Sequence, residues 1–174
     1  MPFAKPVTTL TMHKFIASFC IALRHTLLPG VLLLAAVAAQ AAEPAGLLRS
    51  FPRSQLLLTT ENRCTLIDIW VAANNAQRAQ GLMQITSLDR YEGMLFVHNE
   101  PRILSMWMRN TFIPLDMLFA TADGRIVHLH PSAIPHDESI ISSVRPASLV
   151  VELNAGSIEA MGIRVGHRVE VPAG

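Results

Sequence analysis

The sequence predicts a mainly β, single-domain sandwich or barrel with one or two short helices. Three observations carry this. Short runs rich in β-branched and aromatic residues recur from Leu56 to Val171, as strands require. Two of them, Leu115–Thr121 and Arg125–His130, flank Asp123-Gly124, a favoured two-residue hairpin turn. Both faces of that hairpin are largely apolar, so each needs a layer over it, which an open sheet would not supply.

Taken in order, residues 42–54 read as a poorly ordered tail, and the folded domain is expected over 56–172. Leu56–Thr60 and Thr65–Val71 are strands, the second with Ile67, Ile69 and Val71 on one face. Asn74–Met83 is the best helix: Asn74 can cap it, and Gln77 completes a capping box. Gly93–Val97 and Met106–Met108 are further short strands. The hairpin register pairs Ala120 with Val127, Leu118 with Leu129, Phe119 with His128 and Met117 with His130. Pro131–Pro146 is a long Pro/Ser loop of the kind that is often functional. Ala147–Leu153 is a strand, Ser157–Met161 a short helix stopped by Gly162, and His167–Val171 an edge-like strand.

Ahead of the domain, residues 1–41 have the pattern of a cleaved signal peptide. Lys5, Lys14 and Arg24 precede the apolar run Leu27–Ala38, and Ala39-Gln40-Ala41 is a small-x-small cleavage pattern. Translation could start at Met1 or Met12. The apolar run falls short of the ~20 residues of a spanning helix, and Pro29-Gly30 interrupts it. The expectation is export, to a periplasm, with no stable membrane insertion after cleavage. Cleavage leaves about 133 of the 174 residues, with eleven arginines against thirteen acidic groups. Such a domain lacks the basic stripe of a nucleic-acid binder. Having no lysine, it cannot use Schiff-base or lysine general-base chemistry. Cys20 departs with the leader, and Cys64 is then expected to be a lone, buried thiol.

The motifs resemble those of the domain-of-unknown-function family 192. They are Arg78-x-x-Gly81-Leu82-Met83, Gly93-Met94-Leu95-Phe96, Trp107-Met108-Arg109-Asn110-Thr111-x-Ile113-Pro114-Leu115-Asp116, Asp123-Gly124-Arg125-Ile126-Val127, Val151–Gly156 and Gly162-Ile163-x-x-Gly166. The resemblance runs from about Leu57 to Val171 and implies a small, jelly-roll-like domain, often exported by bacteria, with no activity to carry over. The chain departs from the pattern at Gln84, Arg109 and His167, where arginine, lysine and aspartate are the commoner residues. If the family's aspartate only caps a turn, His167 would have to do the same.

Four charges interrupt apolar runs: Arg78, Arg109, Asp116 and Glu152. Buried charges demand partners, so one expectation is an internal network in which the arginines neutralise the carboxylates. The alternative is that Arg78, Arg109, Asn110, Asp116 and Glu152 line a pocket for an anionic small molecule, with Trp107 as its apolar wall. That second arrangement makes the protein a non-enzymatic binding module, with the 131–146 loop as its gate. A further alternative is an envelope hydrolase using Asp116 or Glu152 with a loop histidine such as His136. A third is a scaffold whose motifs serve only the fold. His128 and His130 share one strand face, as metal ligands can, but their apolar surroundings favour packing, and no metal or cofactor is expected. No Gly-x-Ser-x-Gly elbow, phosphate loop, dinucleotide fingerprint or Cys-x-x-Cys pair occurs.

Overall fold

The computed structural model describes residues 46–171. The expected signal peptide and its cleavage point lie outside them. The elements run β1 (Arg53–Thr59), β2 (Cys64–Ala72), α1 (Asn75–Gln80), β3 (Glu92–Arg102), β4 (Ser105–Met106), β5 (Leu115–Ala120), β6 (Ile126–Ala133), β7 (Ile141–Ser142), β8 (Ala147–Asn154), α2 (Ser157–Met161) and β9 (Arg168–Glu170). Seven strands form one sheet in the order β6-β5-β8-β3-β2-β1-β9, and β4 pairs with β7 separately. The fold is therefore mainly β with two short helices, as the strand pattern predicted.

The sheet curls until its ends meet. Arg125, just before β6, bridges Arg168 of β9. The Ile126 N–H donates to His167 O at 2.8 Å, and the Val169 N–H donates to Gly124 O at 2.9 Å. Closure of this kind satisfies edge groups that an open sheet would leave bare. Adjacent strands are antiparallel except β2 and β3, which run parallel with Trp70 beside Met94. Parallel neighbours need a crossover, and α1 lies within it. Its Asn74 cap is the capping box read from sequence: Asn74 Oδ1 accepts from Gln77 N–H, and Gln77 Oε1 accepts from Asn74 N–H.

Strand alternation builds a core on each side of the sheet. The enclosed face carries Leu56, Leu58, Ile67, Ile69, Leu95, Leu118, Val151, Leu153 and Val169, and α2 adds Met161 to it. The outer face carries Trp70, Met94, Phe96, Met117, Phe119 and Val150, covered by Leu48, Phe51, Leu82, Ile85, Leu104 and Met108 from the loops. All six residues of β5 are buried because both of its faces are covered. At roughly 25 cal/mol per Å² of apolar surface, each buried Leu, Met or Phe side chain of β5 contributes about 1.5–3 kcal/mol.

Several expectations need correction. Residues 46–54 are not a tail throughout: Leu48 and Phe51 are buried in the outer core, and β1 begins at Arg53. Apolar residues just ahead of a strand were a signal for this. The expected Met106–Met108 strand stops at Met106, where a turn begins that exposes Arg109 and Asn110. The 131–146 segment is not structureless, since β6 continues to Ala133 and β7 lies inside it. Cys64 opens β2 as an exposed residue and is not a free thiol, so the lone buried cysteine does not hold.

The hairpin register holds for three pairs: Met117 with His130, Leu118 with Leu129, and Phe119 with His128. The fourth shifts, because Ala120 pairs with Ile126 and Val127 is bulged out. The turn itself explains the slip. The Gly124 N–H donates to Thr121 O and the Thr121 N–H to Arg125 O, with Gly124 at φ +82°. The loop thus has three residues, Ala122 to Gly124, with glycine in the left-handed bulge position.

Candidate functional site

Two segments on the outer side of the sheet are tied together by backbone. One is 103–112, between β3 and β5; the other is 132–144, which includes β7. Ser105 pairs with Ser142 and Met106 with Ile141. The Met108 N–H donates to Asp137 O at 2.8 Å, and the His136 N–H reaches Met108 O at 3.1 Å and Thr111 O at 3.3 Å. Ser143 fastens the far end: its buried Oγ accepts from Leu104 N–H at 2.9 Å and donates to Arg145 O at 2.6 Å.

What these segments show to solvent is unusual for a small domain's surface. Ile103, Trp107, Phe112, Ile134, Ile140 and Val144 are all exposed large apolar residues, and Trp107 is 44% exposed. Grouped apolar side chains on one pair of loops mark a contact site more often than scattered ones do. The Arg109 guanidinium stands over the Trp107 ring at 5.7 Å, and the Phe112 and His136 rings lie 5.3 Å apart. Backbone strain gathers here too. Asn110 (φ +52°), Ser132 (φ +51°), His136 (φ +63°) and Val144 (φ +61°) all occupy the left-handed region. A β-branched residue such as Val144 is a genuine outlier there, and such strain concentrates at functional loops.

The six candidate residues separate into three groups. Trp107, Arg109 and Asn110 lie together on one turn, and Arg109 forms no ion pair among the described residues. Arg78 is engaged elsewhere: Nη1 donates to Ala73 O at 2.7 Å and Val97 O at 2.8 Å, and Nη2 donates to Asn75 Oδ1. It holds the end of β2, α1 and β3 together instead of facing an anion. Asp116 is fully buried and acts as a backbone tie. Its Oδ1 accepts from Ser132 N–H at 2.8 Å and its Oδ2 from Ile158 N–H at 2.7 Å, joining β6 and the first turn of α2 to β5. Asp116→Ala leaves two part-buried backbone donors without their acceptor and is expected to cost roughly 2–4 kcal/mol. Chemical denaturation of the variant measures this, and a midpoint equal to the parent's would remove Asp116 from the structural role.

Glu152 is the third group. It is 4% exposed, its Oε2 has no hydrogen-bond partner among the described residues, and burial raises its pKa from 4.5 to about 8. It sits on β8 opposite Met94 on one side and Met117 on the other. Both methionines belong to the outer core, as does fully buried Met108, which lies between Trp107 and Arg109 in the chain. The Glu152 carboxyl is thus held against the apolar outer core. It is an uncharged acid at neutral pH, able to donate one hydrogen bond and accept others.

The expected internal network is not what these charges form. Neither arginine pairs with either carboxylate, and the ion pairs among the described residues are Arg53–Glu92 at 3.4 Å and Arg168–Asp123 at 2.9 Å. The carboxylates also face opposite ways: Asp116 lies opposite Leu153 of the enclosed face, whereas Glu152 lies opposite Met117 of the outer one. A hydrolase using the two together has no common cleft for them. His128 and His130 share the outer face, where burial and then the His130 charge lower the His128 pKa. Among the described residues no three His, Cys, Asp or Glu side chains gather as a metal site. His167 does cap its turn, its Nδ1 accepting from Arg164 N–H at 3.1 Å.

Sequence reasoning missed Phe112, Ile134, Ile140 and Val144. The signal was present, since three of them stand in a Pro/Ser-rich loop where large apolar residues have no core to join.

Comparison with known proteins agrees with this architecture. Residues 56–171 match the DUF192 family, described as uncharacterized ACR, COG1430. A crystal structure from Sinorhizobium meliloti 1021, described as a candidate transcription regulator, is similar at 41% identity. It aligns over 70% of this chain and 95% of its own, with a TM-score of 0.69. A protein of unknown function from Novosphingobium aromaticivorans DSM 12444 is 33% identical over 82% of this chain and 99% of its own, also with a TM-score of 0.69. Among curated proteins none matches.

Proposed function

The chain belongs to the DUF192 family, and from that premise we propose that its domain is a non-enzymatic binding module for an anionic small molecule. The observation that carries the reading is the Trp107/Arg109 pair, an exposed aromatic ring beneath a guanidinium that has no carboxylate of its own. Arginine presents a planar fork suited to a carboxylate, and an adjoining ring supplies the apolar wall that small-ligand sites need. Phe112 and His136 extend that wall, and the strained loops fix it before a ligand arrives.

Arg109→Met and Trp107→Ala are each expected to weaken binding of a carboxylate-bearing ligand at least tenfold. Thermal stability should change by less than ~1 kcal/mol, because neither side chain is buried. Titration followed by NMR, with melting curves alongside, tests both halves. Variants that unfold without any ligand effect would favour the scaffold alternative. Export belongs to the same proposal: the protein recovered from a periplasmic fraction should begin at Ala42, and an intact Met1 or Met12 terminus there would overturn cleavage.

A further inference from the structure

The register of β4 and β7 decides which side chains their two-stranded ribbon shows to solvent. Ser105 lies opposite Ser142, and Met106 lies opposite Ile141. Met106 and Ile141 pack on the outer core that holds Leu104 and Met108. Successive residues of a strand point to opposite faces, so Ile103, Ser105 and Trp107 turn outward together, with Ile140 and Ser142 across from them. Exposure follows the alternation: Ile103, Trp107 and Ile140 are exposed, whereas Leu104 and Met108 are buried. The Ser142 Oγ is occupied by its own backbone, accepting from Val144 N–H at 3.1 Å. The Ser143 N–H donates to Leu104 O at 2.9 Å, and the next residues beyond that bond, Ile103 and Val144, are both exposed. The outward face is therefore an open row, with Trp107 and Ile140 at one end, two small serines in the middle, and Ile103 and Val144 at the other. At the first end stands the Arg109 guanidinium, 5.7 Å from the Trp107 ring and without an ion pair among the described residues.

Resting on the binding reading above, we propose that the anionic ligand is a long-chain carboxylate, its head on Arg109 and its hydrocarbon tail laid along the ribbon from Trp107 to Ile103. Charge complementarity places the head, and the length of the row sets the tail. The extended chain from Ile103 to Trp107 spans about 13 Å. A zigzag of ~1.5 Å carbon–carbon bonds advances about 1.25 Å per methylene, so about ten methylenes cover the row. The serines leave room for the tail between larger side chains, and a short acid would leave Ile103 and Val144 bare. Because the face is open, a tail is covered on one side only, and each methylene is worth about twofold in affinity, less than full burial gives.

The test titrates the purified protein with acetate, octanoate, dodecanoate and tetradecanoate below their micelle-forming concentrations, and with 1-octanol, following the Trp107 indole by NMR. The proposal expects dodecanoate to bind roughly a hundredfold or more tightly than acetate, with no further gain for tetradecanoate. Octanoate should bind at least tenfold more tightly than 1-octanol. Ile103→Ser should weaken dodecanoate severalfold and leave octanoate unchanged, since the shorter tail stops before it. Acids that bind equally whatever their length would remove the tail and leave the anionic-ligand reading standing. Affinity that keeps rising through tetradecanoate, or an Ile103→Ser variant as tight for dodecanoate as the parent, would overturn the ribbon as the tail's seat. A loss on Arg145→Gln instead of Arg109→Met would overturn the placement of the head. If 1-octanol matches octanoate, or no probe shifts the Trp107 signal, both readings fall together. Sedimentation tests the other occupant: a dimer that Ile140→Ser dissolves would put a second copy on this face and overturn the tail. The chain-length series on the unmodified protein decides the matter even if a variant does not fold.

Discussion

Replacing Glu152 with glutamine should make the protein more stable at pH 8 and change it little near pH 4.5. Glu152 is pushed up by burial from 4.5 to about 8, so the folded state holds its proton where the unfolded chain has released it. Between those values the unfolded state binds fewer protons, and stability must fall as pH rises. Above about 8 both states are ionised and the loss levels off. At about 1.4 kcal/mol per unit, the window is worth up to roughly 5 kcal/mol. Along this row of the sheet stand His130, Met117, Glu152, Met94, Trp70 and Arg53, and Arg53 is already taken by Glu92 and the Trp70 ring. No arginine in that row is free to rescue the carboxylate. Urea midpoints for both proteins from pH 4.5 to 9 provide the measurement. Parallel curves would mean that Glu152 ionises normally, and that its carboxyl is not held in an apolar setting.

Gly124→Ala should be among the most damaging single substitutions in the domain. A Cβ at this position would sit 1.9 Å from the Val169 carbonyl oxygen, which is backbone and cannot rotate away. The position also needs φ +82°, which costs a side chain about 1–2 kcal/mol by itself. Relieving the clash means pushing β9 off the hairpin and breaking the Val169–Gly124 hydrogen bond. The expected loss is roughly 3–5 kcal/mol, of which strain is the smaller part. Gly156→Ala is the matched control: its φ is +84°, but nothing lies within 4 Å of the added Cβ. It should cost only the conformational term of about 1–2 kcal/mol. Equal melting temperatures for the two variants would show that β9 does not press on the hairpin.

Local chemistry made part of this fold legible. The Asn74/Gln77 capping box, the Gly162 stop after Met161 and the central hairpin pairs all appear where the residues placed them. Each depends on neighbours a few positions apart. The parallel β2–β3 pair and the meeting of β9 with Arg125 depend on residues far apart in the chain, which no periodicity reports. The site was half legible for a related reason. Trp107, Arg109 and Asn110 lie together because they are consecutive or nearly so. Arg78 and Asp116 were grouped with them as embedded charges, yet both bind backbone, a partner that every segment offers and no sequence pattern marks. Arg109 itself reads as buried between apolar neighbours, whereas a turn swings it out.

The pairing of the first and last strands sets a schedule for assembly. Leu57, Leu58 and Thr59 of β1 lie opposite Glu170, Val169 and Arg168 of β9 in an antiparallel ladder. At a synthesis rate of about 5–20 residues per second, β1 waits on the order of 5–20 s for its partner to be made. Until then no barrel can close, whatever the earlier strands have done. The domain is thus held open to the end of its own synthesis, and its completion is a C-terminal event. Shortening the chain by even β9 would leave both ends of the sheet as bare edges, ready to pair with another copy.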